Sequence, residues 1–324
     1  KKQLKLYLKA IIVTFAIVAV YGATQLGSGR VSAPFEGNPG EPNTLGGYQV
    51  LIFGVILGVL THLKETKWRI PLILLTVFSL LPFLNTLSRS SYMSFIPMYL
   101  TIIFFTKTKR RNILIGAMLC VIVISIFAFP KNVKERIKYT FTPQATQHLE
   151  PVKVFGVTLG PSASERVKSW MVNFEKWKKR PIIGYGVTAV GFIDSQYVRT
   201  FVELGAVGLS AFLLLLGSLY TNTLRIYKNT QDDLYKGLAL GFLAGHIGML
   251  FHAITANTYI IIRIMEPYWF LAAMVMIIPR LEKKQLELEK PKKDETIVDR
   301  MIERDQLRME YLRNSHQLLK YNRP

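Results

Sequence analysis

Apolar residues run along this chain in long, nearly charge-free blocks separated by short polar connections. A helix needs roughly 20 apolar residues to cross a bilayer. The blocks Leu8–Leu26, Tyr48–Leu63, Ile70–Leu87, Ser91–Thr106, Asn112–Phe129, Val198–Tyr220, Gly237–Ala256 and Tyr259–Ile278 reach or approach that length. The expected fold class is therefore all-α, a polytopic transmembrane bundle of about eight spans. Four zones follow: spans one to five over residues 1–129, an outer-face loop over 130–197, spans six to eight over 198–280, and a charged tail over 281–324. The tail mixes both signs of charge around Ile297, Met301, Leu307 and Leu312 and reads as a cytoplasmic helix, solvated or partner-binding. No internal repeat of the kind common in secondary transporters is visible.

Composition narrows the class further. Of 324 residues, 50% are hydrophobic and 19% charged, and their blockwise distribution excludes soluble globular, disordered and collagen-like chains. One cysteine, Cys120, makes no internal disulfide and belongs to no Cys/His metal pattern. The net charge of +20 favours anionic lipids or phosphorylated substrates as partners. Nucleic acid is disfavoured, because the basic residues are scattered between apolar spans.

Sidedness follows from where Lys and Arg fall in the short connections. They precede the first span (Lys1, Lys2, Lys5, Lys9) and follow the second (Lys64, Lys67, Arg69), fourth (Lys107, Lys109, Arg110, Arg111), sixth (Arg225, Lys228, Lys236) and eighth (Arg280, Lys283, Lys284). Every second connection is basic, so both termini are expected in the cytoplasm. The chain begins with Lys and not Met and reads as lacking its beginning; its first apolar run is expected to be a retained helix, not a cleaved signal. The other side receives Gly27–Gly47, the turn Ser88–Ser91, and the basic loop 130–197. An anionic ligand accounts for the basic loop; so does contact with anionic headgroups.

Candidate chemistry collects on that outer side. Ser162-Ala163-Ser164-Glu165 has capping-box spacing, and Val167, Trp170, Met171, Phe174 and Trp177 then recur at helical spacing up to Pro181. Arg166, Ser169, Asn173, Lys176 and Arg180 fall on the opposite face, as in an interfacial helix. Arg166 near the helix start opposes the dipole, which suggests an anion to meet. Arg89 lies among serines between two apolar helices, where it is either a snorkelling anchor or a functional group. Arg30, Arg89 and Arg166 share the outer side and could clamp a diphosphate bidentately, with Arg136 a further candidate. Asp194 is either a general base or an N-cap. Glu203 could reach the same cavity, Asn43 lies in the first outer loop, and His252 near a helix end is either acid/base or structural. His62 and His148 have no partner that the sequence supplies.

These motifs resemble the O-antigen ligase and O-antigen polymerase superfamily of bacterial membrane glycosyltransferases. The resemblance runs over about 30–278 through Arg30…Pro42-Asn43, Leu87-Ser88-Arg89-Ser90, Glu165-Arg166…Trp170, Pro181…Gly184-Tyr185-Gly186 and Glu203-Leu204-Gly205…Gly208-Leu209. Ligases of this superfamily carry His, then Asn, Ser or Gln, nine residues, and Gly-x-x-Gly. Here Asp194-Ser195 keeps that spacing to Gly205-Ala206-Val207-Gly208, with Asp in the place of His; the departure leans the reading towards polymerase.

The resemblance implies metal-independent transfer, without a cofactor, at the outer face of the inner membrane. The donor is a glycan on undecaprenyl diphosphate, and the acceptor a glycan or lipid A-core. Arg89 and Arg166 would hold the diphosphate, Asp194, with His252 as second choice, would deprotonate the acceptor, and Arg30, Asn43, Arg136, Glu203 and His252 would bind substrate. The competing classes are a ligase, a lipid-linked glycan flippase, which more often shows mid-helix charges, and a structural scaffold binding only membrane lipids.

Overall fold

The computed structural model describes residues 1–35, 37, 40–107, 109–128, 135, 152–154, 157–158, 160–191, 193–289 and 295–321. The elements of a first compact unit, Lys1–Ile278, are α1 (Lys2–Thr24), α2 (Pro42–His62), α3 (Thr66–Asn85), α4 (Arg89–Phe105) and α5 (Arg110–Ala128), followed by an antiparallel hairpin of β1 (Lys153–Val154) and β2 (Val157–Thr158). Then come α6 (Pro161–Trp177), α7 (Gln196–Asn229), α8 (Asp233–His252), a 3-10 turn at Thr258–Ile260 and α9 (Ile262–Met276). The second unit, Pro279–Pro324, contains most of α10 (Ile278–Glu289) and all of α11 (Glu295–Tyr321), so the described residues of the charged tail are helical.

Among the described residues the fold is all-helical apart from the small hairpin. Among the described residues, α1, α2, α3, α7, α8 and the run Ile262–Leu288 are long and apolar enough to cross a membrane. With 17 residues, α4 sits at the short end of the roughly 17–25 that a span requires.

Element ends differ from the apolar runs where capping overrides hydropathy. Pro42 at the first helical position starts α2 six residues before Tyr48. Asp232 accepts from the amides of Leu234 and Tyr235, starting α8 ahead of Gly237. No breaker follows Tyr220, so α7 continues through Arg225 and Lys228 and reaches 34 residues.

Two helices form the centre. Gly54 and Gly58 of α2 face Gly237, Gly241 and Gly245 of α8 so closely that a Cβ on Gly58 would lie 2.3 Å from Gly241 Cα, and one on Gly54 2.7 Å from Gly245 N. Small residues four apart allow such backbone contact, which is how helices gain packing energy where lipid removes the hydrophobic incentive. Around this seam, Phe53 meets Phe15, Phe83 and Phe95 edge to face, joining α1, α3 and α4 to α2. The outer flanks of α1 and α3 leave Ile17, Val20, Ile73 and Leu74 exposed, as lipid-facing surface should.

The bundle has two distinct ends. At one, Lys64 pairs with Asp233 at 2.6 Å, Lys1 pairs with Asp232, Arg110 Nη1 donates to Leu60 O at 2.8 Å, and the Tyr227 hydroxyl donates to Phe105 O at 2.7 Å. The hydrogen bond from Lys1 raises that ammonium above its ordinary pKa. At the other end lie the described residues of the segments 25–41, 86–88, 160–195 and 253–261, called here the loop end.

Candidate functional site

The loop end begins with the α3–α4 turn. α3 stops at Asn85, and Leu87 follows in the left-handed region at φ 50°, where a side chain is strained by roughly 1–2 kcal/mol. Arg30 holds this turn: its Nε donates to Thr86 O at 3.0 Å and its Nη2 to Leu87 O at 3.5 Å. Carbonyls at a helix C-terminus otherwise lack partners, so Arg30 serves as a cap from a distant loop. Ser88 then caps α4 by accepting from Ser91 N, which fixes where Arg89 begins the helix.

From that turn a chain of short polar contacts crosses the bundle. Ser88 Oγ donates to Asn43 Oδ1 at 2.7 Å, Ser91 Oγ donates to Ser88 Oγ at 2.8 Å, and Ser91 Oγ lies 3.4 Å from His252 Nε2. The other ring nitrogen, Nδ1, is 2.7 Å from Thr258 Oγ1, and Thr255 Oγ1 donates to Ser90 Oγ at 2.7 Å. His252 is fully buried, with both nitrogens facing hydroxyls and the ring against Gly47, where a Cβ would come within 3.0 Å of Cε1. Asn43 and His252 thus stitch the tips of α2, α4 and α8.

The connection from α8 to α9 also anchors the segment before α7. Gln196 N donates to Ala253 O and Ala256 O, Asn257 Nδ2 to Ile193 O, and Tyr259 N to Gln196 Oε1. Ser195, not Asp194, caps α7, accepting from Val198 N. Asp194 is left free for another partner, and Arg166 Nε donates to its Oδ2 at 2.7 Å. Both side chains remain about a quarter exposed, at 22% and 27%. The expected capping box of α6 is replaced by Gly160 at the cap and Pro161 at the first position, which moves Arg166 into the second turn.

α6 is held by the side that carries both tryptophans. Trp170 and Trp177 pack on Val190, Ile193 and Val202, and Trp177 stacks on Phe201 at 4.3 Å between centroids. Asn173, expected on the polar face, is buried, whereas Met171 and Phe174 point outwards, because the packed stripe runs through Ser164, Val167, Trp170 and Asn173.

The docking partner of α6 is a broken helix. At Gly205, φ 66° and ψ −168° interrupt α7, in a region essentially restricted to glycine. Four backbone groups around the break are taken up by the segment after α6. Tyr185 N and Gly186 N donate to Val202 O and Glu203 O, while Ala206 N and Val207 N donate to Pro181 O and Ile182 O. Gly184, at φ 67°, fits against Glu203 O where a Cβ would lie 2.4 Å away. This explains the recurrence of glycine in Gly184-Tyr185-Gly186 and at Gly205. Glu203 is engaged too: Arg199 Nε donates to it at 3.1 Å, and its Oε1 accepts from Thr188 N at 3.1 Å.

Of the sequence-derived candidates, the structure unites Arg166 with Asp194 directly. Ser90, next to Arg89, accepts from Thr255, whose neighbour Ala256 accepts from Gln196, two residues after Asp194. Arg30, Asn43, Glu203 and His252 face protein groups, and Arg136 lies outside the described residues. Arg199, Gln196, Thr255, Asn257 and Thr258 were missed; the polar cluster Thr255-Ala256-Asn257-Thr258 between two apolar runs was the available signal. Among the described residues no three His, Cys, Asp or Glu side chains gather as a metal-binding group.

The architecture is thus a helical bundle with membrane-length apolar helices and a partly exposed Arg166–Asp194 pair at one end. Residues 72–213 match the family model described as O-antigen ligase, which supports the O-antigen ligase/polymerase superfamily for this chain. The match runs from α3 into α7 and contains Arg89, Arg136, Arg166, Asp194 and Glu203, leaving Arg30, Asn43 and His252 outside. No curated protein matches the chain. The family supports glycosyl transfer of the ligase or polymerase type in general, on lipid-linked glycan and an acceptor, by a multi-pass inner-membrane protein.

Proposed function

We propose that the protein polymerises a surface polysaccharide, such as O-antigen or exopolysaccharide, from a glycan on undecaprenyl diphosphate at the outer face of the inner membrane. The observation that carries this reading is the Arg166–Asp194 pair, partly exposed at the loop end inside the matched segment. Only Nε of Arg166 is engaged among the described residues, leaving its two Nη groups for a diphosphate. The acceptor hydroxyl oxygen attacks the anomeric carbon, its proton passes to Asp194, and the bond from that carbon to the diphosphate oxygen breaks. Arg166 and Arg89 stabilise the negative charge on the leaving lipid diphosphate, a role that preorganised cations fill without a metal. Arg30 positions the Arg89 turn, and Asn43, Glu203 and His252 support the frame. Asp194 is favoured over His252 as the base because the imidazole is fully buried between Ser91 and Thr258.

The test is to incubate purified protein with undecaprenyl-diphosphate-linked oligosaccharide, with and without a chelator, and follow glycan length. Chains should lengthen in both conditions. Unchanged chains that instead cross a proteoliposome membrane would identify a flippase, and transfer only onto lipid A-core would identify a ligase.

The proposed orientation places the loop end outside and both termini of this chain in the cytoplasm. On a Cys120→Ser background, an impermeant thiol reagent should label cysteines at Asn43 and Ala163 in intact cells, and leave those at Lys109 and Gln231 unlabelled. The reverse pattern would put the Arg166–Asp194 pair on the cytoplasmic side and remove the proposed donor from reach.

A further inference from the structure

Away from the polar site, α1, α2, α9 and the loop at Ala33–Phe35 enclose a groove of about 700 Å³. That volume falls inside the roughly 300–1,000 Å³ of sites that hold small molecules. Its walls are almost wholly apolar, with Ala10, Ile11 and Val18 on one side and Pro267 and Phe270 on the other. The groove extends along α1 from Val18 to Tyr7, roughly 16 Å at 1.5 Å per residue, about half of the ~30 Å hydrocarbon core. Tyr7 and Phe270 meet edge to face at 5.5 Å and close it at the far end.

The near end is different in character. Arg263 and Glu266 line it, and Arg263 donates to the carbonyl of Phe35, a residue held at φ 63°. Thr44, also in the lining, follows Asn43, the residue bonded to Ser88 in the turn before Arg89. Ile264, next to Arg263, and His252 both press against Gly47. The groove therefore opens within a helical turn of the polar network, with the Arg263 guanidinium and the Glu266 carboxylate at its mouth and hydrocarbon walls below. That is the profile of a site for an amphiphile with a phosphorylated head and one long apolar chain.

We propose that this groove holds the head-proximal isoprene units of the polyprenyl chain of the donor, with Arg263 where the chain meets its phosphate. The inference rests on the proposed function for the identity of the lipid. The groove takes one chain. A two-chain phospholipid fills it with a single acyl chain and leaves the other outside, so it competes weakly. The part of the polyprenyl chain beyond Tyr7 and Phe270 turns out into the bilayer.

The experiment uses the whole protein in phosphatidylethanolamine nanodiscs and undecaprenyl phosphate carrying a photoreactive group near its head. Cross-links are expected on peptides containing Ala10–Val18 and Pro267–Phe270. Excess unlabelled undecaprenyl phosphate should suppress them about tenfold, whereas phosphatidylglycerol should not. Thr14→Trp, which fills the groove, should lower cross-linking by a similar factor, and Thr14→Val should retain it as the control for folding. Cross-links elsewhere, or equal competition by phosphatidylglycerol, would overturn the assignment. No glycosyl transfer is needed for this readout. Cross-links in the groove of a protein that fails the polymerisation assay would sink the transferase reading and keep the lipid site; active polymerisation with cross-links elsewhere would do the opposite.

Discussion

Gly205→Ala should destabilise the protein by more than about 3 kcal/mol, enough to remove it from detergent extracts as a folded species. Two independent terms add. A side chain at φ 66°, ψ −168° occupies a region that costs of order 1–3 kcal/mol for a non-glycine residue. The added Cβ would also lie 2.2 Å from Ile182 O, a backbone atom that cannot swing aside. Moving Ile182 breaks the bond its carbonyl accepts from Val207 N and strains the neighbouring one from Ala206 N to Pro181 O, at about 0.5–1.5 kcal/mol each. Gly217→Ala is the control in the same helix. Nothing lies within 4 Å of its hypothetical Cβ, and alanine in a helix interior is better than glycine by roughly 0.5–1 kcal/mol. Thermal unfolding followed by fluorescence size exclusion should therefore separate the two variants in opposite directions. Equal melting temperatures would mean that the break in α7 is not needed for the fold.

The second large effect concerns activity and leaves stability intact. Asp194→Asn should lower polymerisation by about 10²–10⁴-fold, the contribution of a positioned general base. Because Ser195 caps α7, the Asn variant keeps its helix start and should melt where the parent does. The ion pair with Arg166 is partly exposed, and such pairs contribute only about 1 kcal/mol or less. Arg166→Ala should abolish transfer, and Arg166→Lys should impair it, since an ammonium lacks the forked donors that grip a diphosphate. Exchanging the two, Arg166→Asp with Asp194→Arg, restores opposite charges without restoring the roles, and should remain inactive. An Asn variant with parental polymerisation would reduce Asp194 to an orienting partner of Arg166.

Much of this bundle is legible in the chain because membrane spans are written in bulk. Blocks such as Val198–Tyr220 and Gly237–Ala256 are as long as a bilayer crossing and nearly free of charge. The details that shape the site are written in single residues whose effect depends on a distant partner. The run Val198–Tyr220 reads as unbroken hydrophobic helix, and only the amides and carbonyls of Pro181–Gly186 make a break at Gly205 affordable. Asp194 reads equally well as cap or base until Ser195 is seen to take the cap. Arg30 has the appearance of a ligand for an anion, and instead meets the strained carbonyls after α3, 56 residues away. The Arg199–Glu203 pair has ordinary helical i, i+4 spacing, yet its role in holding Thr188 belongs to tertiary structure.

Side chains relieve shear between helices by switching rotamers, but at Gly54 and Gly58 against Gly241 and Gly245 the two helices touch through main-chain atoms that have none to switch. α2 and α8 therefore act as a single stiff strut running the depth of the bundle. Asn43, beside the first helical position of α2, and His252, the last residue of α8, ride on its tip and keep their spacing whatever happens around them. Any widening that admits a bulky glycan must come from helices outside the strut. α1 and α3, each only 22% buried along its apolar window, meet α2 through side chains, which can change rotamer where the strut cannot.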